Sequence, residues 1–233
     1  MLTGLIEDYK VIGISRNSEN IKFTKGLGDN FIPLNADMRI EKVESLVEKI
    51  KIIIEKNEII LKGLVNNAIF NYPSSPLSIG TKDTISVVEG IYSYHLRLTI
   101  GLLPFFNKPS SIINISSIYG KVSPDPTIYK KDLKMNPLLY GSMKAALIQS
   151  SKYLSSILSE SEIRVNSVSF GPFPSEKTIK ENPLFIEELS KKTHLKRIGR
   201  PEESVGIIKF LLSEDSSFVT GADIPVDGGW TAS

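Results

Sequence analysis

Cysteine is absent from all 233 residues, and histidine occurs only twice, at His95 and His194. The first absence excludes disulfides, thiolate metal sites and a cysteine nucleophile, and it fits a reducing compartment. The second excludes a histidine-rich metal site, so no metal is expected. No apolar run reaches the roughly 18 residues of a membrane span. No basic stretch followed by a long apolar run opens the chain, so no signal peptide is read and a cytoplasmic location is expected. Neither sign of charge is in excess: 28 basic and 26 acidic side chains leave a net +2. That balance gives no electrostatic reason to expect nucleic acid as a partner. The mixed charges of the amphipathic stretch 40–56 mark a sheet-covering helix and not a membrane binder.

What is present fits one α/β domain, 1–233. Apolar residues make up 41%, enough for a sizeable core. Strand-like and helix-like segments alternate, which predicts a parallel sheet with helices on both faces. Residues 10–15 (KVIGIS) read as a buried strand, followed by a polar stretch with Gly26 and Gly28. Residues 31–34, 59–65, 111–115, 164–169 and 222–226 read as further strands. Apolar positions at helical spacing predict helices over 40–56 and 84–106. Residues 121–136 read as a loop. Asn136-Pro137 then opens a helix to about Leu158, with a cap residue before proline. Pro201-Glu202 starts the last helix.

Tyr140 and Lys144 stand four residues apart near the start of a helix, so both emerge on one face. Ser117 lies just past the carboxyl end of a strand, the edge where parallel sheets bind ligands. Together they suit carbonyl reduction. A tyrosine with a pKa of about 10 is a poor acid–base catalyst near neutrality, and a nearby ammonium favours its phenolate. A serine hydroxyl can hold the same carbonyl oxygen.

The surrounding segments carry more. VNNA at 65–68, INISSIYG at 113–120, YGSMK at 140–144, RVNSVSFGPF at 164–173, RIGRPEE at 197–203 and VTGADIPVDGG at 219–229 occur in that order. The chain from about Lys10 onward thereby resembles the short-chain dehydrogenase/reductase family. The resemblance implies a Rossmann-type, doubly wound parallel sheet. It implies Tyr140 as proton donor or acceptor, Lys144 as ligand of the nicotinamide ribose and perturber of Tyr140, and Ser117 as the group positioning the substrate carbonyl. Asn67 and Ala68 would line the cofactor groove and Asp37 would meet the adenine. Gly171 and Phe173 would pass close to the nicotinamide, and Thr220-Gly221 would help close the sheet and the subunit contact. The polar region 176–196 would form a substrate lid. Trp230 would line the substrate pocket or pack an interface. The 117–140 insert with GPFP and GGWTA is similar to a branch acting on sugar acids and nonulosonates. At the end of the first strand, Ser15 and Arg16 leave room and countercharge for a 2′-phosphate, which favours NADP over NAD. Otherwise Arg16 is a solvated strand-end residue.

The pattern also departs from the family, whose first strand and TGxxxGxG turn are missing. Thr3-Gly4 matches two letters, but only about half a dozen residues precede the next strand, too few for a helical crossover. Residues 1–8 therefore read as the end of a helix. Loss of that central strand would leave two edges unpaired or closed up. Ile69 stands where the family keeps glycine. The position usually held by a relay asparagine falls near Ile91, and His95, one turn on, is the nearest polar substitute. The expected function is hydride transfer between NADP(H) and a secondary alcohol or carbonyl of a small polar substrate, sugar-like in kind. The expected assembly is a homo-oligomer, dimer or tetramer. The alternatives are a catalytically inactive homologue or gene fragment acting as a subunit or binding module, and a reductase of carrier-bound ketones.

Overall fold

A computed structural model describes residues 2–16, 27–69, 77, 80–129 and 135–232. Gly26 and part of the 121–136 loop lie outside the described residues. Six parallel strands alternate with helices, as the sequence pattern implies: β1 (Val11–Ser15), β2 (Phe31–Asn35), β3 (Leu61–Asn66), β4 (Phe106–Ser117), β5 (Ile163–Phe170) and β6 (Asp223–Val226). They form two ladders, β1-β2 and β3-β4-β5-β6.

The core explains why the strands of the larger sheet read as they do. Residues 110–117 of β4 are buried without a break, because helices cover both faces. Ile112 and Val165 face helix α5 (Leu138–Ile157), packing with Leu154 and Leu158. Ile113, Ile115 and Val168 face the opposite layer, where α8 (Val205–Leu212) supplies Ile208 and Leu211. Helix α2 (Val43–Lys56) buries Val43, Leu46 and Ile50, an i, i+3, i+7 stripe, against β1 and β2. Ile40, expected in this helix, is 84% exposed and precedes it.

Strand β1 lies beside β3 without a ladder between them. Ile12 and Ile14 share one apolar cluster with Leu64, and Val11 shares the opposite cluster with Val65. Neither of these two edges has a ladder partner among the described residues, one of the two outcomes that the sequence pattern leads one to expect. Every residue of β1 is only half-buried, unlike residues 110–117 of β4. Residues 2–5 form the helical turn α1 (Leu2–Leu5). It packs on α8: a Cβ on Gly4 would stand 2.5 Å from Val205. Thr3-Gly4 thus belongs to a helix contact and not to a phosphate turn.

Two sequence-derived boundaries need correction. The 84–106 helix is α3 (Thr81–Val88), a π-turn (Glu89–Ser93) and α4 (Tyr94–Leu102), ending in a 3-10 turn, while β4 begins as early as Phe106. Pro137, not Asn136, is the extended cap residue of α5, and no side chain caps that end. The polar region 176–196, expected to form a lid, holds α6 (Glu176–Glu181) and α7 (Pro183–Lys192).

Candidate active site

Ser117 ends β4, and Tyr140 and Lys144 rise from the first two turns of α5. The close approach of the two elements depends on glycine. A Cβ on Gly141 would stand 2.7 Å from the Tyr119 carbonyl oxygen, and one on Gly120 2.9 Å from the backbone of Lys144 and Ala145. With no side chain on either, the turn after Ser117 lies flush on the helix. The Ser116 hydroxyl adds a hydrogen bond of 2.8 Å to the Lys144 carbonyl. Lys121, just past that turn, pairs with Asp223 of β6 at 3.1 Å, and Asp223 accepts hydrogen bonds from Ser167 and Ser169.

The three expected residues meet. Ser117 is a polar neighbour that favours the Tyr140 phenolate, and the Lys144 Nζ lies 5.8 Å from the Tyr140 ring centre. Lys144 is 3% exposed and donates to the Ile115 carbonyl at 2.6 Å. Burial brings its ammonium down to about 8. Burial also raises Tyr140 above the ordinary phenol range, with Ser117 pulling the other way. Burial thus outweighs, in this arrangement, the pull toward the phenolate expected of Lys144. The ammonium is held by a backbone carbonyl, and desolvation dominates the phenol.

His95 joins this group from α4. It is 4% exposed, hydrogen-bonds the Ala68 carbonyl and feels the charge of Lys144. Burial, first, and Lys144 hold its imidazole down at about 4, so it is neutral at physiological pH. One turn further along α4, Thr99 starts a buried chain that the sequence reading missed. Asn66 donates to Thr99 (3.0 Å) and to Asn114 (2.8 Å), and Asn114 donates to Ser151 of α5 (2.9 Å). The reading assigned a role to Asn67, yet Asn66 is the buried one and Asn67 is exposed at the strand end. This chain fixes α4, β3, β4 and α5 below the Ser117–Tyr140–Lys144 cluster.

The remaining expected cofactor residues line the same carboxyl edge. The Ser15 hydroxyl at the end of β1 is buried without a partner among the described residues, and Arg16 beside it is exposed. Such an orphaned donor next to Arg16, whose charge also reaches Asp37, fits a ribose or phosphate group. Asp37, just past β2, has its carboxylate engaged by Arg39, which holds it down at about 2. Asn67, Ala68 and Ile69 follow β3, all exposed. Gly171 follows β5, where a Cβ would sit 2.6 Å from Asp227 Cα, so the glycine is required by the crossing of the 227 loop. The Phe173 ring turns inward, edge-on to Phe170 at 5.2 Å and packed over Gly199. Thr220 and Gly221 bond Val165 of β5 and close that edge of the sheet. Trp230 is half-buried in the final 3-10 turn. Among the described residues there is no cluster of metal-ligating side chains, and no helix is long and apolar enough to cross a membrane.

A family model described as enoyl-(acyl carrier protein) reductase matches residues 7–231. The chain belongs to the short-chain dehydrogenase/reductase family. This member is 43% identical over 141 residues to isoepoxydon dehydrogenase patN of Penicillium expansum, covering 58% of this chain and 51% of that protein. It is 32% identical over 168 residues to the 3-oxoacyl-[acyl-carrier-protein] reductase FabG of Thermotoga maritima, covering 71% and 64%. Its fold superposes on the Pseudomonas aeruginosa RhlG/NADP active-site complex with a TM-score of 0.82 at 26% identity, covering 98% of this chain and 90% of that one. A Leptospira borgpetersenii short-chain dehydrogenase with bound NAD+ gives 0.77 at 27% identity, covering 95% and 83%. The first curated relatives are matched over about two fifths to one half of their own length.

Proposed function

We propose that this dehydrogenase/reductase interconverts a secondary alcohol and a carbonyl on a small polar substrate with NADP(H). The observation that carries the reading is the meeting of Ser117, Tyr140 and Lys144 at the carboxyl edge of β4. Arg16 and the orphaned Ser15 hydroxyl would hold the adenosine end and favour NADP; Asp37 would meet the adenine. Asn67, Ala68, Gly171 and Phe173 would line the groove, and Lys144 would hold the nicotinamide ribose. When bound, the nicotinamide supplies or accepts the hydride. Ser117 and Tyr140 then point hydroxyl donors at the carbonyl oxygen, where negative charge develops. Tyr140, kept protonated by burial, gives its proton to that oxygen in reduction. A positive Lys144 next to the phenol stabilises the phenolate that remains. A homo-oligomer belongs to this reading, and exposed Tyr153 and Ile157 give α5 an apolar outer face for it.

The test is turnover in Tyr140→Phe, which should be lost while the circular dichroism spectrum and melting temperature stay at wild-type values. Retained turnover refutes the assignment. The unpaired edges of β1 and β3, with Thr3-Gly4 in a helix contact, favour a second reading: a homologue that serves as a subunit or binding module without turnover. Calorimetric titration with NADPH separates the two. Micromolar binding supports the enzyme; no binding at millimolar cofactor supports the module.

A further inference from the structure

Two more phenols stand at the site and have no part in the chemistry above. Tyr119 lies in the 3-10 turn Ile118–Gly120 directly after Ser117, and its backbone N–H donates to Ser117 Oγ at 3.2 Å. Tyr129 follows the next 3-10 turn, Pro126–Ile128. The two hydroxyls are 2.8 Å apart, and both residues are half-buried. Tyr119 and Tyr140 interact electrostatically, as do Tyr129 and Tyr140, and the Tyr119 N–H bond to Ser117 ties the pair to the strand end that carries the site. Burial raises both extra phenols, so they remain neutral hydrogen-bonding groups across the physiological range.

The pair is held from the lid side. The Tyr129 ring packs on Phe185 of α7 at 5.4 Å, tilted 45°. One end of the same segment is tied down by Asp125 and Lys192 at 2.6 Å. A fixed phenol pair contains two O–H donors, of which their mutual hydrogen bond uses one. No other hydrogen bond reaches either hydroxyl among the described residues. One donor and several lone pairs thus remain, beside the place where a carbonyl oxygen would sit. A wall of this kind discriminates strongly when it is built for a hydroxyl, because an alkyl group would leave a half-buried donor unmatched.

We propose that Tyr119 and Tyr129 are specificity-determining residues that bind a hydroxyl on the carbon next to the reacting carbonyl, so the preferred substrates are α-hydroxy ketones and the corresponding vicinal diols. The inference rests on the carbonyl-reduction reading. It is tested with hydroxyacetone and 2-butanone, which differ little in size, in NADPH-dependent reduction by the wild type, Tyr119→Phe and Tyr129→Phe. Phenylalanine keeps the ring against Phe185, and melting temperatures check that each variant folds. The wild type should prefer hydroxyacetone in kcat/KM, and either variant should lower that preference by about tenfold. A selectivity ratio within about twofold of wild type in both variants overturns the inference and leaves the reductase reading standing. Turnover of neither ketone by the wild type overturns both.

Discussion

At the residue scale, burial decides the protonation of the site more than any neighbouring charge does. His95 shows this most plainly. Its imidazole titrates at about 4 in the folded protein against 6.5 for an unburied histidine. The unfolded chain therefore binds the extra proton first, and stability falls as pH drops through the window from about 6.5 to about 4. The shift corresponds to roughly 3 kcal/mol. Urea unfolding of the wild type and His95→Gln across this window measures it. The variant should lose most of that pH dependence, whereas equal slopes would place His95 in solvent. The presence of Tyr140, Lys144 and Ser117 was legible in the sequence because their spacing fixes them on one helix and one strand end. The partnership of Tyr119 with Tyr129 was not, because the intervening loop has no periodic pattern to orient it. Asn66 was hidden for a different reason: only strand phase separates it from Asn67, and the reading ended that strand one residue early.

At the element scale, the alternation of apolar runs and amphipathic stretches was enough to place all six strands. It failed where backbone geometry is set by packing. The π-turn at Glu89–Ser93 has no proline in its sequence, and a single glycine inside a helical pattern does not by itself announce one; it buries Gly90 and Ile91. The early start of β4 was hidden by Pro109, since proline inside a run ordinarily marks a strand's boundary. The contact of α5 with the turn after Ser117 carries a prediction whose sign opposes helix propensity. Glycine to alanine inside a helix ordinarily stabilises by about 1 kcal/mol. In Gly141→Ala, however, the new methyl meets the Tyr119 carbonyl at 2.7 Å and must push the turn away. We expect a loss of about 1–3 kcal/mol in thermal or urea unfolding. Reductase activity should fall as well, since the Ser117–Tyr140 distance opens. A variant more stable than wild type would show that the contact yields freely.

At the scale of the whole molecule, the sheet is split between β1 and β3 while the apolar clusters run across the split. Ile12 and Ile14 pack with Leu64 on one side, and Val11 with Val65 on the other. We propose that the chain is one domain and unfolds as one. Tryptophan fluorescence, reporting Trp230 near the carboxyl end, and far-ultraviolet circular dichroism should give coincident urea transitions. Separate transitions would mean that β1-β2 with α2 forms a unit of its own. The same split bears on the proposed cofactor groove, whose expected residues Ser15 and Arg16 lie on the β1 side and Lys144 on the other.

The central claim is that the Tyr140 hydroxyl exchanges a proton with the substrate oxygen, and the pH profile of kcat in both directions tests it most directly. Reduction needs the neutral phenol, which burial preserves, so its rate should hold through neutral pH and fall only in strongly alkaline solution. Alcohol oxidation needs the phenolate and should rise over that same alkaline limb. In Tyr140→Phe both rates should drop by at least about 100-fold and lose this limb. An unchanged profile at undiminished rate in Tyr140→Phe would contradict the account.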